Sequence, residues 1–151
     1  NRSTLTAVVA AHGGEPVAHR TAHDTVEALS GALDGCLRDD LLVFSGGSSV
    51  GERDLILDLL AARGEVIFHG IAVKPGKPTA FGRVAGKLFF GMPGYPTSCL
   101  SNAYILLAPA LRPLLLRAPT LGKSSLYEAA ASYFAFCFGA AVCVAVADDE
   151  E

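Results

Sequence analysis

Positive charge is in short supply: in 151 residues, twelve Lys and Arg stand against fifteen Asp and Glu, a formal charge of −3. That disfavours a nucleic-acid binder working through a basic field, although it leaves room for a local anion site. Cysteine is scarce and unpatterned. Cys36, Cys99, Cys137 and Cys143 share no CxxC or Cys/His metal spacing, so zinc enzymes and disulfide scaffolds drop out. Buried, reduced thiols of a cytoplasmic protein are the remaining reading. The opening residues lack the pattern of a signal peptide. No repeat or heptad pattern appears, and His12, His19, His23 and His69 do not cluster, which reads as four ordinary packing or surface histidines. Apolar residues are plentiful at 51%, with 16 Gly and 8 Pro. The chain is too apolar for disorder, too aperiodic in glycine for a fibre, and of a length suited to one compact domain.

The apolar positions alternate between two periods. Leu5, Val8, Val9 and His12 recur at helical spacing, and Gly13-Gly14 supplies a stop. A short strand is predicted over residues 16–19. Val26, Leu29, Leu33 and Leu37 predict a second helix, with Asp24 as its cap and Glu27 completing a capping box. Leu41-Leu42-Val43-Phe44 is apolar without alternation, as a strand covered on both faces should be. A helix from about Asp54 to Gly64 and a strand over residues 66–68 follow. Residues 79–83 and 87–90 read as antiparallel strands joined at Ala85-Gly86. A strongly apolar helix is then predicted over residues 97–107, ending near Pro109. Strand–helix–strand alternation of this kind predicts a three-layer α/β/α sandwich with a mostly parallel sheet, whose ligands bind beyond the carboxyl ends of the strands.

Three loops rich in Gly, Pro and Ser fall at or near such ends. In Ser45-Gly46-Gly47-Ser48-Ser49-Val50-Gly51-Glu52-Arg53-Asp54, the glycines permit close backbone approach and the following helix start favours an anion. The loop has no lysine and lacks P-loop spacing. Glu52 and Asp54 beside an anion loop fit a divalent ion bridging carboxylates to phosphate oxygens, and Asp54 also suits a helix cap. In Val73-Lys74-Pro75-Gly76-Lys77-Pro78, two lysines sit on a backbone stiffened by proline, so both ammonium groups are partly preorganised for an oxyanion. Gly91-Met92-Pro93-Gly94-Tyr95-Pro96-Thr97-Ser98 ends at another helix start, with the Ser98 hydroxyl in its first turn. Two cations, two hydroxyl-rich helix starts and a carboxylate pair suit a phosphorylated or oxyanion ligand with a divalent metal.

These three motifs, in this order and spacing, resemble the central domain of the MoeA/gephyrin family of molybdopterin molybdenumtransferases, over roughly residues 1–113. The lysine motif sets it apart from the related adenylyltransferase and competence-damage branches. The resemblance implies a molybdenum-cofactor-biosynthesis (MoCF-type, MoaB/Mog-like) domain over residues 1–117, without the strand and acidic Thr-Gly-Asp-Glu loop that open the family's domain. It implies insertion of molybdate into adenylylated molybdopterin with release of AMP, using Mg2+. By the same resemblance, Asp54 and Asp24 are catalytic. Ser45, Gly46, Gly47, Ser49, Gly51, Pro93 and Gly94 surround the nucleotide and pterin phosphates. Lys74, Lys77 and Ser98 bind molybdate, and Glu52 and Asp54 hold the metal. Tyr95 stands where the family usually has asparagine. The implied partners are these small molecules and a second subunit that completes the site, with neither nucleic acid nor membrane. A non-catalytic scaffold or oligomerisation module of the same fold, and a molybdopterin adenylyltransferase, are the alternatives.

Residues 118–151 read as an apolar tail of unclear origin. Residues 129–147 carry no charge and are just long enough to span a bilayer as a helix, but they are rich in alanine. Alternation at Val142, Val144 and Val146 also suits a strand.

Overall fold

The computed structural model describes residues 1–47, 54–115 and 141–148. A six-stranded sheet runs through the middle, in the order β1-β6-β2-β5-β4-β3. Its strands are β1 (Glu15–His23), β2 (Leu41–Ser45), β3 (Gly64–His69), β4 (Ala80–Val84), β5 (Lys87–Met92) and β6 (Ala141–Asp148). β1, β6, β2 and β5 pair in parallel, whereas β4 is antiparallel to both β5 and β3. Only β4 therefore runs against the rest, and the carboxyl ends of the other five strands share one rim.

Alternation along the strands divides the core in two. Leu42, Phe44, Ala80, Val84 and Phe89 face helices α2 (Val26–Cys36) and α3 (Leu55–Arg63). Leu41, Val43, Phe90, Met92 and Val144 face α1 (Arg2–Ala11), α4 (Pro96–Asn102) and α5 (Ala108–Leu115). All five residues of β2 are buried, as an unbroken apolar run between two helical layers requires. Phe44 stacks on Phe89 at 5.0 Å on the first face, and Phe81 lies 4.6 Å from Phe90 on the second. The three-layer α/β/α sandwich expected from the sequence is the fold observed.

Local signals mostly act where they stand. Asp54 caps α3, its carboxylate accepting from the Leu57 amide at 3.0 Å. Ala85 and Gly86, at φ 49° and 78°, make the tight turn between β4 and β5. Three expectations are corrected. Asp24 is not the cap of α2: Thr25 is, its hydroxyl accepting from the Ala28 amide at 3.2 Å, so the capping box centred on Asp24 fails by one residue. The last helix does not stop near Pro109. A π-helical stretch, Ala103–Leu107, widens the coil and α5 continues through the proline. The wider coil fits a residue with no N–H to donate, because the backbone bonds there already run five residues back, from Ala108 to Ala103. Nor are the thiols uniformly reduced. Cys99 is free and buried, but Cys36 is disulfide-bonded.

The first strand extends from Glu15 to His23, well past the predicted residues 16–19. Of the apolar tail, residues 141–148 form β6, hydrogen-bonded between β1 and β2, which is the strand option that their alternation allowed. Among the described residues, no helix is long and apolar enough to cross a membrane.

Candidate functional site

Strand polarity brings the three loops to one rim. Ser45 ends β2 and Met92 ends β5, and these two residues are register partners in the parallel pair. The lysine loop leaves the carboxyl end of β3 and enters the amino end of the reversed strand β4, so it lies at the same edge. His23 ends β1 and pairs in register with Asp148, which puts Asp24 at this rim too, two strands from Ser45. At about 4.8 Å per strand, that separation is about 10 Å.

Three sets of contacts tie the loops together. The first joins the Gly/Ser turn to the Pro-Gly turn. The Asn1 amide donates to Ser45 Oγ at 2.6 Å and to the Gly94 carbonyl at 2.8 Å, while Ser45 Oγ donates to the Pro93 carbonyl at 3.3 Å. Gly46 and Gly47 both adopt positive φ, 96° and 62°, and a Cβ on Gly94 would stand 3.4 Å from the Gly46 Cα. Two glycines therefore let the turns nearly touch. Leu55 N donates to the Gly47 carbonyl at 3.3 Å, returning the chain to its starting point at α3.

The second contact joins α3 to the lysine loop. Asp54 Oδ1 serves the helix cap, and Asp54 Oδ2 lies 3.3 Å from Nε2 of His69, the last residue of β3. The third joins the lysine loop to α4 through Asn102, whose amide donates to the Gly76 carbonyl and to Thr79 Oγ1, both at 2.7 Å. Lys74 and Lys77 remain exposed on either side of that anchor, and the Lys74–Pro75 peptide is cis. The neck of the loop is closed by backbone bonds from Gly70 N to the Thr79 carbonyl at 2.8 Å and from Ile71 N to the Lys77 carbonyl at 3.0 Å.

Ser98 is buried in the first turns of α4, on the same face as Asn102 four residues on. Tyr95 precedes the helix with its ring largely in solvent. Cys99 sits beneath the rim with its sulfur 3.7 Å from Ser45 Oγ. Burial pushes the Cys99 thiol up, against the smaller pull of the Ser45 hydroxyl, so it stays neutral. Ser49, Gly51 and Glu52 lie outside the described residues.

The donors described do not by themselves make a metal centre. No group of three or more His, Cys, Asp and Glu is gathered among the described residues, and both oxygens of Asp54 already have protein partners. A divalent ion at this rim would need phosphate oxygens and further ligands, so no chemical step is derived through one.

Sequence reasoning missed His69, Asn1, Thr79 and Asn102. His69 had one available signal, its position at the end of a predicted strand just before the lysine loop. Asn102 had none, because its partner is 26 residues away.

The fold and these loops recur in known proteins. Residues 1–113 match a family model described as a probable molybdopterin binding domain. A molybdopterin molybdenumtransferase of Haemophilus influenzae is 47% identical over 75 residues, covering 50% of this chain and 19% of that protein. Molybdopterin molybdenumtransferase 2 of Mycobacterium tuberculosis is 36% identical over 119 residues, covering 74% of this chain and 29% of that protein. The chain thus spans less than a third of the length of these curated relatives. The crystal structure of a molybdopterin biosynthesis MoeA protein from Pyrococcus horikosii superposes with a TM-score of 0.65 at 40% identity, covering 72% of this chain and 27% of that one. By the family match over three quarters of its length, the chain belongs to the molybdopterin-binding domains, and within them to the MoeA/gephyrin family.

Proposed function

We propose that the rim is the site at which molybdate is inserted into adenylylated molybdopterin during molybdenum-cofactor biosynthesis, with release of AMP. The reading rests chiefly on the closed set of contacts linking the three loops: Ser45–Asn1–Gly94, Asp54–His69 and Asn102–Gly76. Molybdate is a tetrahedral dianion. Lys74 and Lys77 supply its counter-charge from a loop whose backbone is already ordered, and Ser98 adds a hydroxyl donor. Ser45, Gly46, Gly47, Pro93 and Gly94 form the floor on which the phosphates and pterin lie, and the same reading assigns Ser49 and Gly51 to those ligands and Glu52, with Asp54, to the metal. Asp54 orients the oxyanion or water that attacks the adenylate phosphorus, and Asp24 lies at the far end of the rim. The phosphoanhydride bond breaks, the molybdopterin phosphate leaves with the electron pair, and AMP is released carrying the attacking oxygen. The protein contributes positioning and charge stabilisation, and no covalent nucleophile is required.

The test is AMP release from adenylylated molybdopterin with molybdate and Mg2+, together with equilibrium binding of each. Asp54→Ala should lower AMP release by about 100-fold or more with little change in molybdate affinity, as expected for a group acting mainly in the transition state. Lys74→Ala/Lys77→Ala should weaken molybdate binding first. Unchanged turnover and affinity in both variants would overturn the reading. Normal assembly of the wild-type chain without any AMP release would favour the scaffold alternative, and ATP-dependent labelling of molybdopterin would reveal an adenylyltransferase.

A further inference from the structure

Asn102 is fully buried, yet it is the residue on α4 that reaches the lysine loop. Its Nδ2 spends both protons, one on the Gly76 carbonyl and one on Thr79 Oγ1. Thr79, itself fully buried, donates its hydroxyl proton to the same Gly76 carbonyl at 3.1 Å. The three groups form a closed triangle. Its sense is fixed by chemistry, because a carbonyl can only accept and so the NH2 side of the amide must face Gly76. The remaining oxygen, Asn102 Oδ1, is buried without a partner. An orphaned acceptor costs free energy, so an apolar side chain would serve a merely space-filling position better. Gly76 completes the fit. It holds φ +116°, and a Cβ there would stand 2.7 Å from the Asn102 amide, so the amide lies hard against the backbone midway between Lys74 and Lys77.

Asn102 also shares a helix face with Ser98, one turn earlier. From this arrangement we infer that Asn102 is a positioning residue for oxyanion binding, setting the distance between the Lys74/Lys77 pair and the Ser98 hydroxyl from inside the fold. This rests on the molybdate role proposed for those three residues. The logic is one of entropy. Two exposed lysines on a free loop would have to be ordered at each binding event, whereas a buried amide that pins the loop's midpoint has ordered its backbone in advance.

The experiment compares wild type, Asn102→Leu, which keeps the branched outline and heavy-atom count but removes both donors, and Thr79→Val, which removes only one corner of the triangle. Three quantities are read on the full chain: molybdate affinity, AMP affinity, and hydrogen exchange at the Gly70 and Ile71 amides in the loop neck. We expect molybdate binding to weaken by about tenfold or more in Asn102→Leu and by less in Thr79→Val, with faster exchange at the neck and AMP affinity unchanged. A purely structural residue would instead lower both affinities together. If Asn102→Leu does not fold, Thr79→Val carries the same test. Unchanged molybdate affinity in a folded variant, while Lys74→Ala/Lys77→Ala abolishes it, overturns the positioning role and leaves the site standing. Molybdate affinity indifferent to the lysines overturns both.

Discussion

The rim is held by two seams of different construction. Over β2 and β5, the Gly/Ser and Pro-Gly turns meet through one asparagine amide and a close approach of glycines, and the bond from Asn1 to Gly94 is open to solvent. Over β3 and β4, the lysine loop is pinned by a fully buried triangle and a backbone-closed neck. In the first seam water can replace a lost bond, so loss there is cheap. In the second it cannot, because a carbonyl and a hydroxyl would be stranded in the dark interior of the fold. The backbone that carries the two lysines is thus the rigid part of the rim, and the Gly/Ser and Pro-Gly turns are the adaptable part.

Substitutions that add one methyl group to each seam break this comparison most directly. Gly76→Ala should cost the most, about 2–4 kcal/mol, because it combines a positive φ with a clash against the Asn102 amide. Denaturant unfolding measures it, and a cost below that of Gly94→Ala would reverse the ranking of the seams. Gly94→Ala should cost less than about 1 kcal/mol, since its φ is not positive and its new Cβ meets only the Gly46 Cα at 3.4 Å. The smallest effect at neutral pH sharpens the picture beneath the first seam. Burial raises the Cys99 thiol in the folded state, so its contribution is intact below the ordinary thiol range, about pH 8.5, and is lost as pH rises above that range through the raised folded-state value. Cys99→Ala should therefore flatten the alkaline limb of a stability–pH curve while leaving its neutral part nearly level. An alkaline limb as steep as in wild type would remove the thiol from the account.

Much of the fold was legible because its signals are local. The bare apolar run of β2, the Asp54 cap and the Ala85-Gly86 turn each depend on residues within a few positions of one another. Where two local signals competed, the reading slipped. Asp24 and Thr25 are both good caps, and backbone geometry chose the threonine. Pro109 looked like a helix end, but a π turn before it absorbed the missing donor. Of the site, the lysines, Asp54 and the glycine turns were visible as residue types suited to an anion, while the groups that hold them were not. His69 is 15 residues from Asp54, with only its place beside the lysine loop as a hint, and Asn102 is 26 from Gly76, with no local signal of the pairing.

By itself, then, the order of amino acids determined the layers, the strand–helix alternation and the chemistry on offer at three turns, since propensity, periodicity and capping act within a turn or two of the chain. Only the tertiary structure decided that those turns share an edge. That follows from strand direction: β3 delivers the lysine loop to the rim where β2 and β5 end, and the single reversed strand, β4, starts there and runs away from it. Strand direction within a sheet is a property of pairing between distant segments, and so is the buried amide that pins the backbone at Gly76 between the two lysines.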